Sequence, residues 1–139
     1  MSNELLNEIE LSNISKNLFS ETPEKLANKL AKNRGSNKPA QLRKFFNEIV
    51  MWEERSNSCP DEKFDTNILP YVRMLKAKAA YAHGRNNNRN EPHKGLVDQD
   101  YLGLITHCID QIKDKKTLTT FKIFMEAFMG FYKLARPKD

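Results

Sequence analysis

The sequence predicts an all-α fold, a compact bundle of about five helices. Along most of the chain, apolar residues recur at the three- and four-residue spacing of a helix that faces a core. No segment combines strand alternation with the turn dipeptides that bound a hairpin. At 139 residues the chain has the size of one domain, which we place at residues 21–139.

The first residues fit this pattern least. Residues 1–20 contain scattered apolar side chains interrupted by Ser and Asn. We interpret them as an N-terminal arm that is either a frayed helix or ordered only by a neighbour. The first clear helix follows, with Thr22 as its N-cap, Pro23 at the first helical position and Gly35 just past its end.

Each of the other four helices is predicted from one apolar stripe. The second, about residues 40–55, buries Leu42, Phe45, Phe46, Ile49 and Trp52. The third has Pro70 in its first turns and buries Ile68, Leu69, Val72, Leu75, Ala79 and Ala82. The fourth, about residues 98–113, buries Tyr101, Leu104, Ile105, Cys108 and Ile112. The fifth, about residues 117–134, buries Leu118, Phe121, Phe124, Met125, Phe128, Phe131 and Tyr132.

Positive charge is concentrated in one part of the chain. The formal net charge is +5, and residues 73–94 hold six cations against one acid, whereas residues 1–33 hold four lysines and five glutamates. Tyr81 lies among those cations. A cluster of basic residues with few acidic neighbours and an aromatic residue among them is expected where a protein binds a phosphate backbone. The alternative is a solvated face that keeps the bundle soluble.

The cations of the third helix cannot all touch one groove. On a helical wheel, Arg73 and Lys76 lie on one flank of the apolar stripe. Lys78 and Arg85 lie on the other flank. The Asn-rich segment that follows, with Arg89 and Lys94, has a composition that cannot pack a core, so we expect it to be exposed.

Candidates for metal binding or catalysis are few. His107 and Cys108 are adjacent and diverge by about 100° on a helix, so they cannot easily hold one ion. Helical ribonucleases of the HEPN type carry an Arg followed after four to six residues by His, whereas His93 follows Arg89 after three residues and Arg85 after seven. His83 has no such motif. We therefore expect no enzyme activity, no metal and no cofactor.

The expected compartment is inferred from signals that the sequence lacks. Cys59 and Cys108 form no CxxC motif, and no signal-peptide h-region precedes them, so we expect a cytoplasmic protein with reduced thiols. No apolar run approaches the roughly 20 residues that span a bilayer.

A helical DNA-binding regulator stays an alternative, although the third helix starts with the acidic segment DEKFDTNIL instead of the polar and basic residues of a recognition helix. A small helical ribonuclease is the other alternative.

Three segments carry a resemblance to a known family. SNKPAQLRKFFNEI, LPYVRMLKAKAAYAHGR and FMEAFMGFYK, in that order, resemble the small subunit of type III-A CRISPR effector complexes, the Csm surveillance particle. The resemblance implies a five-helix protein that stacks in several copies beside the guide-RNA filament and helps to hold guide RNA paired to target RNA without cleaving it. Other subunits of the complex carry the nuclease and cyclic oligoadenylate activities.

The resemblance also implies which residues face RNA. They are the basic residues near the start of the second helix and along the third. In this sequence those positions are Lys38, Arg43, Lys44, Arg73, Lys76, Lys78 and Arg85.

Overall fold

Helices form nearly all the regular structure in the computed structural model, which describes residues 3–85 and 95–138. The elements are α1 (Asn3–Asn7), α2 (Glu21–Ala31), α3 (Pro39–Asn57), a 3₁₀ turn (Asp61–Lys63), α4 (Phe64–Asn67), α5 (Leu69–Gly84), α6 (Gln99–Ile109) and α7 (Lys115–Ala135). Within those two ranges there is no strand. The predicted all-α class with five long helices is confirmed.

Helix α7 is the centre of the bundle. It packs against both α2 and α3, while α5 packs mainly against α6. Six of the seven residues of its predicted stripe are buried, and the rings of Phe128 and Tyr132 stack with centroids 5.5 Å apart. Phe131 is only half-buried. The aromatic interior of the protein is therefore supplied largely by this one helix.

Side chains at two helix starts explain where those helices begin. The Asp114 carboxylate accepts a hydrogen bond from the Thr117 backbone N–H at 2.8 Å, and the Thr117 hydroxyl accepts one from the Asp114 N–H at 3.1 Å. This reciprocal capping box starts α7 two residues before the predicted position. Asp98 caps α6 in the simpler way, accepting from the Tyr101 N–H at 2.9 Å.

Two further predicted boundaries are wrong. Helix α2 begins at Glu21, so Thr22 is a buried residue of the first turn and not the N-cap. Helix α6 ends at Ile109, four residues early, although Ile112 is buried as predicted. Trp52 and Phe46, predicted to be buried, are half-buried and pack against the core from its edge.

The N-terminal arm contacts the rest of the chain. Ile9, Leu11 and Leu18 are buried in the same apolar cluster as the helices. The Leu11 N–H donates to the Gln111 side-chain carbonyl at 2.8 Å, and the Gln111 amide donates to the Ile9 carbonyl at 2.8 Å. Because Gln111 lies two residues after the end of α6, this pair of hydrogen bonds fastens the arm beside the end of that helix.

Candidate nucleic-acid interface

One flank of α5 presents a continuous exposed stripe. Its members recur at alternating spacings of three and four residues, which places them on one side of the helix. They are Tyr71, Met74, Lys78, Tyr81 and Arg85. We call this set the α5 stripe, and its basic half lies toward the end of the helix.

The basic half of the α5 stripe forms one wall of a groove against α3. This basic groove, of about 250 Å³, is lined by Gln41, Lys44, Phe45, Glu48, Lys78, Tyr81, Ala82, Arg85 and Leu96. The lining contains three cations and one carboxylate. Packing of α5 beside α3 thus joins cations that lie more than 30 residues apart in sequence, which gives a local positive surface.

Two interactions order the cations of the groove. Lys78 Nζ lies 2.7 Å from Glu48 Oε1 across the groove, and both side chains are partly exposed to solvent. The Arg85 guanidinium lies 5.9 Å from the centroid of the Tyr81 ring, within the range of a cation–π contact. Lys78 is thus held toward α3 and Arg85 toward Tyr81, while Lys44 is exposed on the α3 side.

A second depression extends the positive surface toward the start of α3. Lys38, the exposed N-cap residue of α3, and Lys44 both line it, together with Gly95 and Leu96. Lys44 and Leu96 line both depressions. Four of the seven predicted RNA-facing residues therefore lie along one surface: Lys38, Lys44, Lys78 and Arg85.

The other three predicted residues lie elsewhere. Arg43 lines a depression between α3 and α7 beside Phe46 and Lys133. Lys76 forms an ion pair with Asp110, just after α6. Arg73 is exposed on the same flank of α5 as Lys76. Arg89, Lys94 and His93 lie outside the described residues.

A buried polar cluster holds the loop that leads into α3. Asn37 has a left-handed backbone (φ 57°), its N–H donates to the Leu96 carbonyl at 3.0 Å, and its side-chain oxygen accepts from the Asp98 N–H at 2.9 Å. The Tyr132 hydroxyl donates to the Asn37 carbonyl. These bonds join the start of α3, the segment before α6 and the end of α7, and so fix Lys38 relative to Leu96.

Arg136 completes this cluster and was missed by sequence reasoning. Its side chain is fully buried, and its guanidinium donates to the carbonyls of Asn33, Arg34, Ser36 and Asn37 at 2.7–3.3 Å. Nothing in the sequence distinguishes it from a surface arginine after a helix. The place of Glu48 in the groove depends on the packing of α5 beside α3.

The residues considered for metal binding or catalysis, where the structure describes them, either lie beside a backbone carbonyl or are buried in the core. His83 Nδ1 lies 3.0 Å from the Val97 carbonyl, and His107 Nε2 lies 3.2 Å from the Ile9 carbonyl. Cys108 is fully buried, and burial raises the pKa of its thiol well above the usual range, which disfavours the reactive thiolate. Within residues 3–85 and 95–138, no group of three or more His, Cys, Asp or Glu side chains could hold a metal ion.

The family comparison covers most of the chain. The model of the Csm2 Type III-A family matches residues 15–138. No curated protein and no solved structure matches the chain significantly. In the part of the chain that the structure describes, no helix is long and apolar enough to cross a membrane. The protein therefore belongs to the Csm2 Type III-A family, the small subunits of type III-A CRISPR complexes, which associate with the other subunits of the complex.

Proposed function

We propose that this protein binds RNA as a non-catalytic, cytoplasmic subunit of its complex and helps to hold guide RNA paired to target RNA in antiviral defence. One observation carries the proposal: the basic groove and the adjoining depression bring Lys38, Lys44, Lys78 and Arg85 to one surface. A guide-programmed complex reads sequence by base pairing, so its protein needs to recognise only backbone and duplex shape. Flexible cations without a base-reading motif suit that task.

The two flanks of α5 have different roles in this proposal. Lys78 and Arg85 lie in a groove with a cation excess, whereas Lys76 is paired with Asp110 outside it. Lys78 is paired as well, with Glu48, but it shares its groove with Lys44 and Arg85, whereas Lys76 does not line that groove. We assign the Arg73 and Lys76 flank to contacts with neighbouring subunits, which include further copies of this chain stacked along the filament.

Two double variants test the RNA assignment. Lys78→Ala/Arg85→Ala removes two groove cations, and Arg73→Ala/Lys76→Ala is the matched control with the same change in net charge. Each phosphate contact on single-stranded RNA contributes about 0.7 to the slope of log affinity against log salt. The groove variant should therefore lower the slope by about 1.4 relative to the parent. The control should keep the parent slope and lower the yield of the assembled complex.

Folding and specificity are measured on the same samples. Both pairs are largely exposed, so the melting temperatures should stay close to that of the parent. If both variants fold and bind RNA with the parent slope, the groove is a solvated face and the proposal is wrong. Labelled duplex DNA and labelled single-stranded RNA complete the design: sequence-selective binding of the duplex would favour a DNA regulator, and cleavage of the RNA would favour a ribonuclease.

A further inference from the structure

Tyr81 is an exposed aromatic side chain in the middle of the cations. It is 69% exposed, more than Tyr71, the other exposed tyrosine of the α5 stripe, at 52%. A ring left this open loses the gain from burying apolar area that most aromatic side chains obtain. Aromatic side chains are enriched at surfaces that bind a partner, compared with the rest of a protein surface.

Among residues 3–85 and 95–138, Tyr71 has a stacked ring partner and Tyr81 has none. The Tyr71 ring stacks on Trp52, with centroids 5.0 Å apart and planes within 10° of parallel, and Arg55 lies 4.8 Å from the centroid of the Trp52 ring. Tyr71 thus has a ring partner within the chain. Tyr81 has the Arg85 guanidinium at 5.9 Å, close to the limit of about 6 Å for a cation–π contact. A flat partner could lie on the Tyr81 ring beside that guanidinium.

The charges around Tyr81 define the class of that partner. Lys78 precedes it by three residues, and Arg85, the residue that follows α5, comes four residues after it, so cations lie about one turn away in both directions. Lys44 lines the opposite wall of the groove. An aromatic ring between cations matches a nucleotide, whose phosphates bind the cations while its base stacks on the ring.

We propose that Tyr81 stacks on an unpaired nucleobase of the RNA held by the basic groove. This inference rests on the proposed function and adds to it that the groove receives a nucleotide whose base is outside a duplex stack. A base inside a duplex already stacks on both faces and cannot offer one to a side chain. The groove should therefore bind an RNA that offers an unpaired or flipped-out nucleotide more tightly than a fully paired duplex of the same charge.

The test uses the full chain and two probes of equal length. One is a single-stranded oligouridine, and the other is an abasic ribose-phosphate oligomer with the same charge. Tyr81→Leu removes the ring and keeps apolar bulk, Tyr81→Phe keeps the ring, and Tyr71→Leu is the matched control on the same stripe. Tyr81→Leu should weaken binding of the oligouridine about fivefold or more, with an unchanged salt slope. Binding of the abasic oligomer should not change, and Tyr81→Phe and Tyr71→Leu should bind both probes as the parent does.

The remaining outcomes separate the two proposals. If the parent binds RNA and Tyr81→Leu binds both probes equally well, the stacking inference is wrong while the proposed function stands. An equal loss on both probes also overturns it, because the change then does not involve the base. If Tyr81→Leu binds RNA normally but lowers recovery of the complex, Tyr81 contacts a protein subunit. If the parent binds no RNA, both proposals fail.

Discussion

Arg136 donates from Nη1 to the Ser36 carbonyl oxygen at 2.7 Å, and through this bond the end of α7 holds the loop before α3. The same guanidinium also binds the carbonyls of Asn33, Arg34 and Asn37. The Asn33 and Asn37 carbonyls also accept from the Ser36 N–H and the Tyr132 hydroxyl, whereas replacing Arg136 takes this charged donor from the carbonyls of Ser36 and Arg34. A buried acceptor that loses its donor costs about 1–3 kcal/mol.

Arg136→Met should therefore lower the free energy of unfolding by about 3 kcal/mol or more. The substitution keeps the unbranched apolar stem, so the missing donors are the main change. Urea unfolding gives the measurement, and Lys138→Met, at an exposed position, is the control for loss of a positive charge. A loss below about 0.5 kcal/mol would show that the loop is held without Arg136.

Gly95 and Gly103 should respond in opposite directions to alanine. A Cβ at Gly95 would lie 2.3 Å from the His83 carbonyl oxygen, so the backbone would have to move, at a cost of about 1–3 kcal/mol. At Gly103, inside α6, nothing lies within 4 Å of an added Cβ. Gly103→Ala should stabilise by about 0.5–1 kcal/mol because alanine favours the helix. Urea midpoints of the two variants measure the contrast, and changes of the same sign would contradict it.

The α7 cap should make a pH-dependent contribution to stability. Hydrogen bonds from the Thr117 hydroxyl and then from its backbone N–H hold the pKa of Asp114 below the ordinary value of 3.8. A lowered carboxyl pKa stabilises the fold above 3.8, and that contribution is lost as the pH falls through the lowered value. Asp114→Ala should cost about 1 kcal/mol at neutral pH, and its difference from the parent should shrink below the lowered pKa.

Asp114→Asn separates the cap from the charge. Asparagine is nearly as good an N-cap as aspartate, so this variant should keep most of the stability at neutral pH. Its amide does not titrate, so it should lose less than the parent in acid. Urea midpoints at neutral pH and near pH 3 give the comparison, and parallel curves for all three proteins would contradict a role for the Asp114 charge.

Glu48 should restrain RNA binding by the basic groove. Its carboxylate pairs with Lys78 at 2.7 Å and also repels phosphate. Glu48→Gln should free Lys78 and tighten RNA binding about two- to fivefold, with less than about 1 kcal/mol change in stability, because exposed ion pairs contribute little. Glu54→Gln, an exposed position on the same helix, makes the same change in net charge. If both variants tighten binding equally, the effect is that of net charge and not of the groove.

The buried apolar faces of α5 and α7 could be predicted because burial on one side of a helix imposes a repeat that is visible in the sequence. All six predicted apolar positions of the third helix, from Ile68 to Ala82, are buried. The end of α6 could not be predicted, because Ile112 continues the period after the helix has stopped. There a turn takes over, with the Gln111 N–H bonded to the Cys108 carbonyl.

The groove was predictable only in part. Helical spacing separates the two flanks of α5, but nothing in the sequence tells which flank meets α3. Lys44 and Lys78 line one groove because of how α3 and α5 pack. The position of Arg136 could not be predicted at all. Its acceptors are backbone carbonyls, which every residue has, so no pattern of side chains could indicate its place.

The fold closes through contacts between distant parts of the chain. Leu11 and Gln111 are 100 residues apart, as are Ser36 and Arg136, and α2 packs mainly on α7. Helical proteins usually fold fast because most of their contacts are local, so little chain entropy is lost before a contact forms. In this protein α2 cannot bury its apolar face until α7 has formed and packed against it. We therefore expect folding to be slower than its helix content suggests, with α2 and the N-terminal arm gaining protection from hydrogen exchange last.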